Sequence, residues 1–172
     1  MLRYLSSILF TFLFWGCNGL DKSSNSSTNN KSQTVIAFAT LGSFDYSDFE
    51  NKKQIVPRKF RDTISHILTN FEISYLQRLL DGQLTKDSSK IQLEADCFYP
   101  RHNILFIDEN GKLTDYVLVC FECSKIKSTK THKASLSDFE NFFNSIGLKT
   151  FNRPDYHYKF YDSLLKTRKH NR

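Results

Sequence analysis

The stretch NILFIDENGKLTDYVLVCF, residues 103–121, constrains the fold more than any other part of the chain. Two β-prone runs flank Asn110-Gly111, a pair whose residues tolerate the positive φ angles of a tight hairpin turn. A two-residue turn there sets Glu109 opposite Lys112, Phe106 opposite Asp115, Ile104 opposite Val117 and His102 opposite Val119. Side chains alternate across a strand. One face therefore carries His102, Ile104, Phe106, Val117, Val119, Phe121 and Cys123, and the other Leu105, Ile107, Tyr116, Leu118, Cys120 and Glu122. Both faces are largely apolar, which places the hairpin centrally in a sheet with cover on each side, and helices are the expected cover.

The flanking segments supply those helices. TVIAFATL, residues 34–41, reads as a first strand. Phe60, Ile64, Ile67 and Leu68 have helical spacing, although Thr63, Ile64 and Thr69 are β-branched and pull the other way. Ser74 with Gln77 predicts a capping box, Leu76, Leu79 and Leu80 a buried stripe, and Gly82 a helix stop. Ser137 with Glu140 predicts a second box, with Phe139, Phe142, Phe143 and Ile146 inward and Gly147 at the end. A third amphipathic helix is expected from Asp155 to about Lys166, burying Tyr158, Tyr161 and Leu165. The class is α+β, with a central antiparallel hairpin or sheet covered by two to three amphipathic helices.

The N-terminus suggests a compartment. Arg3 precedes an apolar run from Leu5 to Trp15, 11 residues long. That is too short to cross a hydrocarbon core and suits the apolar region of a signal peptide. Gly16-Cys17 resembles the end of a bacterial lipobox, although Phe14 and Trp15 stand where Leu and a small residue are usual. Residues 1–17 are expected to be a lipoprotein signal peptide ending at a lipidated Cys17. NGLDKSSNSSTNNKSQ, residues 18–33, has no apolar set to bury and reads as a disordered tether. Residues 34–172 then form one domain. Lipid on Cys17 would hold it at a membrane of the bacterial cell envelope, on an extracytoplasmic face.

Charge adds a restriction. The formal net charge is +6, but the tail KTRKHNR, residues 166–172, holds four basic residues. Without that tail and Arg3, 19 basic residues face 18 acidic ones, so the body is nearly neutral. A short basic tail reads as a solvated end or a contact to acidic lipid, and no nucleic-acid partner is expected.

CFYPRHNILFIDENGKLTDYVLVCFEC, residues 97–123, resembles a pattern in uncharacterised bacterial proteins, many of them predicted lipoproteins of Bacteroidota type. The shared elements are Cys97, Pro100, Arg101, His102, Cys120 and Cys123 around the hairpin, and the likeness covers roughly residues 34–150. The resemblance implies no activity.

The thiols are open to four readings. Cys97, His102, Cys120 and Cys123 have the ligand inventory of a Cys3His zinc site. If the strand stays extended, however, Cys120 and Cys123 point to opposite faces about 10 Å apart. A disulfide suits an oxidising compartment, with Cys97 expected within reach of Cys120 or of Cys123, but not of both. A catalytic redox pair is disfavoured at a strand end, because such thiols usually sit at a helix N-terminus. Core filling is the plainest reading, since free Cys is among the most buried residues.

Other candidates are weaker. Arg101 with His102 lacks a nucleophile or carboxylate pair. Asp45, Asp48 and Glu50 lack EF-hand spacing. Phe151, Tyr156, Tyr158, Phe160 and Tyr161, interleaved with His157 and Lys159, could stack on glycan or nucleic acid, but helical periodicity explains them. The expectation is a lipid-anchored, non-enzymatic domain without a cofactor, binding an envelope partner. The alternative is a metal-binding (zinc) or redox-active domain using Cys97, His102, Cys120 and Cys123.

Overall fold

The computed structural model describes residues 33–42, 62–84 and 97–170. The expectations for the signal segment, Cys17, the tether, Phe60 and the acidic loop at Asp45, Asp48 and Glu50 lie outside the described residues. Five strands form one antiparallel sheet: β1 (Thr34–Thr40), β2 (Thr63–Ile67), β3 (His102–Ile107), β4 (Leu113–Cys120) and β5 (Lys125–Ser128). Their order is β2-β1-β3-β4-β5. Three helices complete the chain: α1 (Asn70–Leu80), α2 (Leu136–Ser145) and α3 (Pro154–His170). The architecture is α+β, with β3 in the middle of the sheet. Among the described residues, no helix is long and apolar enough to cross a membrane.

The hairpin register is as expected from His102↔Val119 to Phe106↔Asp115, but two irregularities produce it. The turn is longer than two residues. Asp108 N–H donates to Lys112 O and Gly111 N–H donates to Asp108 O, so Asp108, not Glu109, faces Lys112. Gly111 alone takes a positive φ, of 74°, in the manner of a type I turn closed by a glycine bulge. Asp108 Oδ1 favours this turn by accepting from the N–H groups of Asn110 and Lys112. The extra turn residue shifts the pairing to Ile107↔Leu113, and a bulge at Thr114 shifts it back. The Thr114 hydroxyl donates to Phe106 O at 3.1 Å within that bulge.

The outer strands correct two expectations. Ile64 and Ile67 do not line a helix: residues 63–67 pair with β1, Ala39 opposite Ile64 and Ile36 opposite Ile67. β-branched Thr63, Ile64 and Ile67 suit a pleated edge, and the ladder overrides their incidental helical spacing. β5, with the sequence KIKS, was not expected as a strand. It is short and carries lysines, as edge strands that avoid further pairing do.

Both expected capping boxes sit elsewhere. α1 is capped by Thr69, whose hydroxyl accepts from Glu72 N–H while the Glu72 carboxylate accepts from Thr69 N–H. Ser74 lies inside the helix and donates to Asn70 O. α2 is capped by Ser135 with Asp138, a carboxylate one carbon shorter than the usual Glu. The buried stripes are as expected in α1 (Leu76, Leu79, Leu80) and α2 (Phe139, Phe142, Phe143). Gly82 and Gly147 follow them at positive φ. In α3 the inward residues are His157, Tyr161 and Leu165, whereas Tyr158 is exposed. The helix also continues into the basic tail as far as His170, and residues 166–170 are exposed.

Two apolar clusters lie on the sheet. The larger joins Ala37, Ile104, Phe106, Val117 and Val119 to residues of all three helices. The smaller contains Phe38, Leu105, Ile107, Leu113, Tyr116 and Leu118, with Phe98 against it. Among the described residues, no helix side chain joins the smaller cluster.

Candidate functional site

The site begins where β4 ends. Cys120 is its last residue, and Phe121–Ser124 turn the chain back into β5, with Cys120 opposite Lys125. Ser124 takes φ 53°, a conformation a non-glycine residue adopts at some cost, and it closes the turn without Gly or Pro. The premise of an extended strand is therefore overturned. Cys120 and Cys123 are not 10 Å apart; their Cα atoms lie 5.2 Å apart and their sulfurs form a disulfide. Cys123 N–H also donates to Cys120 Sγ at 3.2 Å. Both residues are buried.

Cys97 reaches the same turn from the segment preceding β3. Its thiol is free and exposed. Its Sγ lies 3.6 Å from Cys123 Sγ, so the expected approach to one of the two cysteines is present, but the bond joins the other pair. Tyr99 N–H points at Cys123 Sγ from 3.5 Å. Phe98 packs on the smaller apolar cluster and Pro100 is buried, which fixes the segment on either side of Tyr99. The reading of the three as core thiols does not hold: Cys120 and Cys123 are buried but bonded to each other, and Cys97 is exposed.

Arg101 and Glu122 form an ion pair beside the sulfurs, with side chains only 19% and 14% exposed. Glu122 Oε2 lies 3.7 Å from Cys120 Sγ. Arg101 is thus engaged with a carboxylate and not with His102. Sequence reasoning set Glu122 and Cys120 on one face but gave Glu122 no role.

His102 turns away from the sulfurs into the helix-side core. Its Nε2–H donates to Lys149 O at 3.1 Å, and the Tyr161 hydroxyl donates to the same oxygen at 2.8 Å. Its ring packs against Phe121, Phe143, His157 and Tyr161. His157, which the sequence offers only within the aromatic stacking stretch, donates from Nε2 to Thr40 O at 2.8 Å. Burial first, then the neighbouring His157 and Arg101 charges, push His102 down to about 3, against hydrogen bonding to Lys149 O. Burial likewise lowers His157 to about 4 and raises the Tyr161 hydroxyl. Both imidazoles are therefore neutral at physiological pH and serve as structural hydrogen-bond donors. Cys97, Cys120 and Cys123 are brought together and His102 is not. Among the described residues, no three His, Cys, Asp or Glu side chains gather as a metal-ligand set.

Two surface grooves lie elsewhere. One, of about 370 Å³, runs between α1 and α2 and is lined by Phe71, Tyr75, Phe142 and Ile146. The other, of about 400 Å³, is lined by Lys149, Phe151, Tyr156, Lys159 and Phe160. The aromatic run of α3 is thereby divided: Tyr161 is core, Tyr156 and Tyr158 are exposed, and Phe151 and Phe160 wall the groove.

The chemistry open to the sulfur cluster is thiol–disulfide exchange. The thiolate is the attacking species, and it must reach one sulfur of the bond. Cys97 already touches Cys123. Comparison with known proteins gives no match: no family model, no curated protein and no solved structure matches the chain.

Proposed function

We propose that this chain is a lipid-anchored, extracytoplasmic domain that carries out thiol–disulfide exchange through Cys97, Cys120 and Cys123. The observation that carries the chemistry is the 3.6 Å contact between the exposed Cys97 thiol and Cys123 of a buried disulfide. Anchoring is supported by the apolar run before Cys17 and the polar tether after it. The amphipathic helices serve as cover for one sheet face, which leaves the β4–β5 turn at an edge where thiols can approach.

The steps balance with a substrate dithiol as the one other reactant. Cys97 loses its proton and attacks Cys123 Sγ, the Cys120–Cys123 bond breaks, and Cys120 leaves with the electron pair and takes up a proton. The bond now includes the exposed sulfur. A thiol of an envelope protein then attacks Cys97 Sγ and expels Cys123, forming a mixed disulfide. The substrate's second thiol attacks its own bonded sulfur and releases Cys97. The substrate dithiol is oxidised by two electrons, and the domain is reduced by two.

The test is oxidation of a dithiol peptide by the intact chain. Wild type should oxidise about one equivalent, and Cys97→Ser should slow this by roughly tenfold or more because only buried sulfurs remain. Equal rates would remove Cys97 from the chemistry. In cells, Cys17→Ala should leave the membrane fraction; unchanged partition would end the lipid-anchor reading.

A second reading, non-enzymatic partner binding, draws on the groove between α1 and α2. Phe71 at its rim is 79% exposed, an unusual position for a large apolar side chain.

A further inference from the structure

We propose that the outward face of α3, with the groove beside it, is a docking surface for a membrane of anionic phospholipid. This rests on the envelope placement proposed above, which puts a membrane within reach of the domain. The groove is lined by Lys149, Phe151, Tyr156, Lys159, Phe160 and Ser163, and no carboxylate is among them. Tyr156, Lys159, Phe160 and Ser163 recur at three- and four-residue steps, which sets them along one face of the helix. His157, Tyr161 and Leu165 hold the opposite face in the core. Packing therefore fixes the direction in which the surface points.

Rings and cations are interleaved on this surface. Lys149 Nζ stands 5.6 Å from the ring centres of both Phe151 and Phe160, and the Arg153 guanidinium lies 4.5 Å over Tyr156. The two acids of α3 are already engaged, Asp155 with Arg153 and Asp162 with Lys166. Among the described residues, neither Lys149 nor Lys159 has a carboxylate partner. Both lysines are exposed, and the helix runs on to exposed Arg168 and Lys169. An exposed Tyr suits the headgroup level of a bilayer, and lysines near it attract acidic headgroups. Cationic groups spread along a helix of about 25 Å match an extended anionic surface better than one small anion. The chain outside the described residues permits the contact. Sixteen residues separate Cys17 from Thr34, enough for roughly 50 Å when extended. Thr34 opens β1, whose far end, Thr40, accepts from His157 of α3. That strand covers only roughly 20 Å, so a chain anchored at Cys17 can lay α3 on the same bilayer.

The experiment uses the full chain carrying Cys17→Ala, so that no acyl chain contributes. Its partition is measured on vesicles of phosphatidylglycerol mixed with phosphatidylcholine, and on phosphatidylcholine alone. The ratio of the two partition coefficients cancels whatever the apolar N-terminal run adds to both. Adding Lys149→Gln and Lys159→Gln should lower that ratio by roughly tenfold or more, at about fivefold per lysine near the surface. Lys125→Gln with Lys127→Gln removes the same charge from β5, whereas α3 packs beside β2 at the other edge of the sheet. That control should leave the ratio within about twofold, because charges beyond a Debye length are screened. No loss in the first pair, or an equal loss in both, overturns the docking face. Release by glycerol phosphate, at an ionic strength where sodium chloride releases nothing, would mean a pocket for one phosphate group and overturns it as well. The anchor reading fails separately. Membrane binding of Cys17→Ala in cells that salt removes belongs to docking, and binding that salt leaves contradicts the anchor.

Discussion

Arg101 and His102 are neighbours in the chain, yet they serve two unlike regions. Arg101 reaches the β4–β5 turn, where it holds Glu122 beside Cys120 and where Cys97 lies exposed against a disulfide. His102 reaches the helix-side core, where it shares Lys149 O with Tyr161 and packs on His157. Arg101 immediately precedes β3 and His102 opens it, and the two side chains leave the chain in different directions. The sulfur region holds groups with alternative partners, one of them open to solvent. The histidine region holds polar groups paired among themselves and with backbone carbonyls, His102 and Tyr161 sharing Lys149 O, sealed from water and with both imidazoles neutral. The contrast teaches why the proposed exchange would fall at the turn and not beside His102: the strands behind the turn are pinned by the core.

The largest expected effect comes from breaking the core side. Tyr161 is among the largest fully buried side chains, and Tyr161→Ala should cost about 3–5 kcal/mol in a denaturant titration. While the variant remains folded, alkylation of Cys97 should proceed at the wild-type rate. A strong change in that rate would show that the two regions are not separable.

Acid should act on the same side. His102 and His157 have folded values of about 3 and about 4, both below the ordinary 6.5. The unfolded chain therefore binds more protons in this range. Stability is fully present above 6.5, falls as pH drops below it, and levels off below about 4 for His157 and about 3 for His102. The slope approaches roughly 1.4 kcal/mol per pH unit for each ring. Denaturation midpoints measured from neutral to acid pH should show this loss. A flat profile would mean that the histidines are not buried neutral.

The basic end of α3 should matter least. Residues 166–170 are exposed, and the Lys166–Asp162 pair is a surface one. Truncation after Leu165 should move the melting temperature by only a few degrees, as for under ~1 kcal/mol. A large drop would show that the tail packs.

Much of the core was legible from sequence, because apolar spacing is a direct consequence of which face is buried. Leu76, Leu79, Leu80, Phe139, Phe142 and Phe143 are inward as their periodicity implies. The hairpin register was legible for a weaker reason: the longer turn and the bulge at Thr114 offset each other. The helix starts were obscured by competing matches, since Ser74 and Ser137 also open cap-like patterns while Thr69 and Ser135 do the capping. On α3, Tyr158, Tyr161, Leu165 and His157, Tyr161, Leu165 are both helical stripes, and apolarity favoured the first. Tertiary hydrogen bonding to Thr40 O selects the second. The sulfur turn was the least legible part. KIKS gives little strand signal and FECS contains no Gly or Pro, so nothing in the sequence announces that the chain reverses after Cys120.

The account stands most directly on whether Cys97 trades places with Cys120. An excess of alkylating reagent is added to the folded, unreduced chain, and each cysteine is followed by peptide mapping over time. Exchange predicts that Cys97 is labelled first and that Cys120, buried and initially bonded, also becomes labelled in wild type as the bond passes to Cys97–Cys123 in part of the population. It predicts no Cys120 label in Cys97→Ser. Label confined to Cys97 in wild type, or Cys120 labelled equally in Cys97→Ser, would contradict it.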